Sequence, residues 1–126
     1  MKVTILHNTD RDASFGLNAR LEPGKQITQP RSHQLVRVFQ FEQPEDYLQH
    51  VLEDVYWRLN VGEDPDFGEP DQIALDYRAL RLRSLSIGDV VQIEDGSDLC
   101  PDGYYALDRF EFKPVAASQL AITTTR

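Results

Sequence analysis

Arg83 to Val115, RSLSIGDVVQIEDGSDLCPDGYYALDRFEFKPV, is the stretch whose reading decides the fold. Asp89 to Glu94 (DVVQIE) has the β-branched content of a strand, with Val90, Val91 and Ile93 as buried positions. The turn leading into it uses Ser84 and Ser86, whose hydroxyls bond nearby backbone, and Gly88, which permits a positive φ. Asp95 to Gly103 (DGSDLCPDG) is turn chemistry throughout. Tyr104 to Leu107 and Phe110 to Val115 then continue the sheet, with a bend near Asp108–Arg109, and Tyr104 and Tyr105 fall on opposite faces.

Working outward, Val3 and Ile5 alternate with Lys2 and Thr4, which predicts a strand at 2–7. Leu35 to Phe41 (LVRVFQF) is a second strand. Between them, residues 8–34 offer only Phe15, Leu17, Leu21 and Ile27 as apolar anchors. A connection this long is uncommon unless it is functional or mobile. The spacing predicts the main helix over 44–59: Pro44 suits the first helical position, Glu45 and Asp46 suit the positive end of the dipole, and Gly62 suits a left-handed cap. Leu48, Val51, Leu52, Val55 and Leu59 form one apolar stripe of helical period. An acidic loop, NVGEDPDFGEP at 60–70, leads to Asp71, which caps a short second helix carrying Ile73, Ala74, Tyr77 and Leu80. Strands at the ends around central helices give an α+β class: a single domain, a mostly antiparallel sheet, and one main amphipathic helix with a short second helix on one face. The domain covers 1–115. The tail 116–126, with Leu120 and Ile122 as its only anchors, is expected to be loosely ordered.

A chain of 126 residues suffices for one modest core. Its apolar runs fall short of the roughly 18 residues of a membrane span, and MKVTILHNTD lacks a secretory apolar segment. Cys100 is the single cysteine, so no intramolecular disulfide forms, and a cytoplasmic setting is expected. The net charge of −8 is concentrated: residues 42–76 hold eleven acids against Arg58 alone, whereas residues 1–41 hold six basic residues against three acids. Such a block repels nucleic acid and anionic membranes and attracts basic partners. Its plainer explanation is a solvated helix face and a polar loop.

The candidate chemistry is sparse. Asp66-Phe67-Gly68 matches a kinase tripeptide without the glycine-rich or catalytic loops. Asn8 to Asp12 begins like a calcium loop, but Ala13 and Ala19 stand where glycine and glutamate belong. His7, His33 and His50 share no ligand spacing, and Cys100 lacks a local base. These patterns imply neither a metal nor a cofactor and point away from an enzyme. Trp57 is the odd residue, because it points opposite the apolar stripe beside His50, Glu53 and Asp54. Either another layer covers it or it is an exposed anchor of the kind enriched at binding hot spots. Phe67 in the acidic loop poses the same choice.

Arg83-Ser84-Leu85-Ser86-Ile87-Gly88-Asp89-Val90-Val91, followed by Tyr104-Tyr105-Ala106 and Phe110-Glu111-Phe112, resembles the small YodL-like proteins of plasmids, conjugative elements and phages. Asn8 to Leu17 and Leu59 to Gly68 look like an actinobacterial branch of that family. The turn Asp95–Gly103 is longer than the family pattern. The resemblance implies a mobile-element accessory protein and carries no catalytic residues over.

These readings converge on a non-enzymatic accessory protein that binds a protein partner through an acidic helix-loop surface made of Glu45, Glu53, Asp54, Trp57, Glu63, Asp64, Asp66 and Phe67. A sharper version is a nucleic-acid mimic, with Glu45 and Glu53 roughly 12 Å apart on one helix side, which would call for a homodimer. A rival of a different class is a small-ligand binder or enzyme in which the 8–34 loop closes as a lid over the sheet, a reading that a deep pocket with converging His7, Asp10 or Cys100 would favour. Direct nucleic-acid binding is disfavoured by charge, although Arg78, Arg81 and Arg83 form a small basic run.

Overall fold

Val3, Ile5 and His7 alternate with Thr4, Leu6 and Asn8 along β1 (Lys2–Asn8), and all six are buried, because this strand has neighbours on both sides and apolar clusters on both faces. The computed structural model describes residues 1–8, 35–61, 71–108, 111–120 and 122–123. In it, β1 pairs antiparallel with β2 (Leu35–Glu42) on one side and with β3 (Val90–Glu94) on the other. β3 continues as an antiparallel meander into β4 (Gly103–Leu107) and β5 (Phe112–Val115). The register of β1 against β2 slips after Ile5. Ile5 faces Phe39 and Leu6 faces Arg37, so Val38 is a bulge residue.

Two helices cover one face. α1 (Leu48–Val61) lays Val51, Leu52, Val55 and Leu59 on Val3, Ile5, Phe41, Val91 and Ile93, as its apolar stripe requires. Each such side chain contributes about 1.5–3 kcal/mol when fully buried. α2 (Gln72–Ala79) buries Ala74 and Tyr77, and its N-cap Asp71 accepts the Ala74 N–H at 2.9 Å. The α+β class, the antiparallel sheet and the shared helix face agree with the sequence pattern.

Some boundaries differ, for physical reasons. The main helix begins at Leu48 rather than Pro44. The Gln43 N–H still pairs with the Met1 carbonyl, and the Leu48 N–H is donated to the Leu99 carbonyl at 2.9 Å. Pro44, Glu45 and Asp46 therefore form a non-helical lead-in, and the turn after β3 supplies a partner for the first helical amide. This gives the long turn Asp95–Gly103 a structural job. Within it Ser97 and Cys100 exchange backbone hydrogen bonds, and Gly96 leaves no room for a Cβ against the Cys100 carbonyl. Leu80, expected on the buried stripe of the second helix, is its exposed C-cap residue. Beyond Val115, where a loosely ordered tail was expected, Ala117–Gln119 make a 3-10 turn and β6 (Ile122–Thr123) pairs parallel with Leu35–Val36. The sheet order is β5-β4-β3-β1-β2-β6. Leu120 and Ile122 pack on Leu6, Leu35, Val90 and Ala106, on the face away from the helices.

Residues Leu82 to Ser86 form neither helix nor strand, so their backbone is held by side chains. Asn60 accepts the Leu85 N–H at 2.8 Å and donates to the Leu85 carbonyl at 3.2 Å. The Tyr77 hydroxyl donates to the Arg83 carbonyl at 2.5 Å and meets His7 Nε2 at 2.7 Å. Burial pushes the Tyr77 hydroxyl well above the ordinary tyrosine value, with the Asp89 charge adding to it. Asp89, with its side chain 1% exposed, accepts from the Asn8 N–H, the Ser86 N–H and both terminal nitrogens of Arg83, at 2.6–2.8 Å. The hydrogen bonds to Asp89 raise the Arg83 guanidinium above its ordinary value. Gly88, at φ 98°, closes the turn as the sequence required.

Asp89→Asn, which replaces a charged acceptor with an amide among three donor groups, is expected to lower unfolding stability by about 3 kcal/mol. Arg83→Gln should cost a similar amount, about 3 kcal/mol, because it leaves the buried Asp89 carboxylate without its counter-ion even though Arg83 itself is half exposed. Urea denaturation midpoints at unchanged slope measure both.

Candidate protein-interaction surface

The outer face of α1 is the side that its apolar stripe leaves to water. His50, Glu53, Asp54 and Trp57 recur there at helical spacing, and all four are exposed. The Trp57 ring is 46% exposed. At that exposure Trp57 is not a fully covered core residue. Tyr56 lies beside it at 40%, and Tyr47, just ahead of the helix, is 57% exposed and stands edge-on to His50 at 5.7 Å. Three exposed aromatic rings within eleven residues of chain, set among carboxylates, make an unusual surface, since large apolar groups are normally scattered singly.

The carboxylates differ in how they are held. Glu53 accepts from Gln49 at 3.1 Å. Asp46 uses a single oxygen, Oδ1, for the Tyr47 N–H at 2.7 Å and for His50 Nδ1 at 3.3 Å. The Tyr47 N–H, helped by the His50 ring, holds the Asp46 carboxyl below the usual carboxylate range, so it stays ionised near neutrality. Asp54 is half exposed but engaged by its neighbours. It accepts from Gln43 and forms an ion pair with Arg58 at 3.0 Å, and Arg58 also reaches Asp71 at 2.7 Å and Gln43 Oε1 at 3.1 Å. Between these groups lies a depression of ≈ 400 Å³ lined by Gln43, Pro44, Glu45, Asp46 and His50, with the Asp54–Arg58 pair as its far wall.

The structure thus brings Glu53, Asp54 and Trp57 to one face and sets Glu45 at its rim. Glu45 precedes the helix, so the two-carboxylate spacing on a single helix side that a nucleic-acid mimic would use is not built. Glu63, Asp64, Asp66 and Phe67 lie outside the described residues, as do Asp10 and the 9–34 part of the proposed lid. Sequence reasoning missed Tyr47 and Arg58. Tyr47 precedes the periodic stretch and lies just ahead of the helix. Arg58 had a visible signal, since Asp54 sits four residues before it.

The two nucleophile and base candidates are held in other ways. His7 Nε2 is bonded to the Tyr77 hydroxyl in the core. Cys100 is fully buried, and burial raises its thiol pKa, with Asp102 adding to the shift, which favours the unreactive protonated form. Among the described residues no group of three or more His, Cys, Asp or Glu could hold a metal ion, and no helix is long and apolar enough to cross a membrane. No protein-family model, no curated protein and no solved structure matches the chain.

Trp57 fluorescence should be red-shifted and strongly quenched by acrylamide in the folded protein, and a blue-shifted, protected signal would show the ring to be covered. Cys100 should react with a disulfide reagent only on unfolding. A native-state rate close to that of a free thiol would contradict its burial.

Proposed function

We propose that this protein is a non-enzymatic accessory protein that acts by binding another protein through the outer face of α1. The observation that carries the reading is the half-exposed Trp57, in line with His50, Glu53 and Asp54 and flanked by exposed Tyr47 and Tyr56. A tryptophan held on a rigid helix supplies large contact area at little entropic cost, and such residues dominate binding energy. The surrounding carboxylates give the face its sign and would steer association with a positively charged surface. The resemblance to YodL-like proteins adds a setting, the accessory genes of a mobile element, and the lone cysteine fits a cytoplasmic place of action.

Photo-crosslinking tests this directly. A benzophenone side chain placed at Tyr56 should trap a discrete partner in cells, whereas one at Gln92, on the sheet face away from the helices, should not. Trp57→Ala should weaken recovery of that partner by about 2 kcal/mol, roughly thirtyfold, at unchanged thermal stability. Equal trapping from both positions, or capture indifferent to Trp57→Ala, would remove the basis for the reading.

A further inference from the structure

We infer that the partner offers this face a basic segment, with apolar side chains laid along Trp57 and Tyr47 and an arginine guanidinium seated in the depression ahead of α1. The inference rests on the binding role proposed above and specifies the chemistry of the partner. Complementarity of charge is the first argument. The depression is lined by three carboxylates, Glu45, Asp46 and Asp54, against one guanidinium, Arg58, and Glu53 continues the same sign along the helix. Arg58 is the single Lys or Arg of α1, and its guanidinium is already engaged by Gln43, Asp54 and Asp71. A cationic segment docking along His50, Glu53 and Trp57 therefore meets carboxylates first.

Shape and ring chemistry favour arginine over lysine. A depression of ≈ 400 Å³ rimmed by carboxylates on two sides suits a planar fork better than a compact ammonium. The far wall already holds one guanidinium by oxygen atoms of three side chains. Tyr47, exposed at the edge and braced against His50, offers a ring face on which a second guanidinium can stack. From Tyr47 to Trp57 the surface runs about 15 Å along the helix direction, the length of about ten helical residues or four to five extended ones. A short segment can therefore span both the seat and the aromatic anchor.

The test uses the full chain and three probe peptides of the same short amphipathic pattern: leucine with arginine, leucine with lysine, and leucine with glutamate. Binding is read at low salt from the Trp57 indole signal and from backbone amide shifts at 45–47. The arginine peptide should bind saturably and perturb both places. The lysine peptide should bind severalfold more weakly, and the glutamate peptide not at all. Glu45→Gln combined with Asp46→Asn should weaken arginine-peptide binding about tenfold and Trp57→Ala about fivefold or more, whereas Glu94→Gln, on the far side of the sheet, should leave it unchanged. Each variant alters a surface side chain, and circular dichroism confirms the fold. If the glutamate peptide binds as well, or Glu94→Gln costs as much as the rim variant, the basic partner and its seat are refuted. If Trp57→Ala weakens binding while the rim variant does not, the arginine seat falls and the binding face stands. If the arginine peptide leaves Trp57 unperturbed, the inference falls, and if the crosslinking experiment also fails, the binding face falls with it.

Discussion

The Asp89 carboxylate is the junction on which the rest of the structure depends. It draws the last residue of the central strand, the turn at Ser86 and the forked end of Arg83 to one buried point just before β3 begins. Removing a carboxylate from water costs several kcal/mol, and only a full set of donors offsets that cost. Here two backbone amides and a two-pronged guanidinium supply them, and Arg83 keeps part of its own hydration because its side chain is half exposed. The same knot sets the path of Leu82 to Ser86, which Asn60 ties to α1 and Tyr77 ties to α2. One charged group thus fixes the helical layer relative to the sheet, a task that non-directional apolar packing does less specifically.

That junction also shows where sequence reasoning stops. The periodicities of β1, β2, α1 and β3 are local properties, and each was legible in the alternation or the stripe of its own residues. Asp89 read as the first residue of the strand Asp89–Glu94, and Arg83, six residues earlier, was grouped with Arg78 and Arg81 as a small basic run, so no local pattern marked the two as a buried pair. The beginning of α1 was misread for a related reason. Pro44, Glu45 and Asp46 carry good local signals for a helix start, yet the amide of Leu48 finds its partner at Leu99, about fifty residues away in the chain. Helical geometry placed Trp57 correctly opposite the stripe. Whether something covered the ring was a question about the other layers, which the local pattern does not contain.

The binding face follows from the same division. α1 spends its apolar stripe on the sheet and turns its remaining residues to water, and its one basic residue is drawn back to Asp54 and Asp71. With Arg58 engaged in those pairs, the outer stripe carries carboxylates, a histidine and an indole. The rim at Glu45 and Asp46 lies on the non-helical stretch from Gln43 to Tyr47, ahead of the helix. The turn after β3 thereby shapes the surface indirectly, through the helix start it helps to set.

The strand order has a consequence for how the chain is made. β1 sits at the centre of the sheet, but Ile5 pairs with Phe39 on one side and with Val91 on the other. Among the described strands, β3–β4 and β4–β5 are the pairs that join neighbours in sequence by direct hairpins. On a ribosome the first strand would be finished long before β3 exists to cover its second edge. The amphipathic α1 would likewise emerge ahead of β3, which supplies Val91 and Ile93 to the surface that buries it. Contacts of such long sequence separation slow folding and lengthen the exposure of unpaired strand edges. Newly made chains of this protein should therefore depend on holding factors during synthesis far more than the finished domain does.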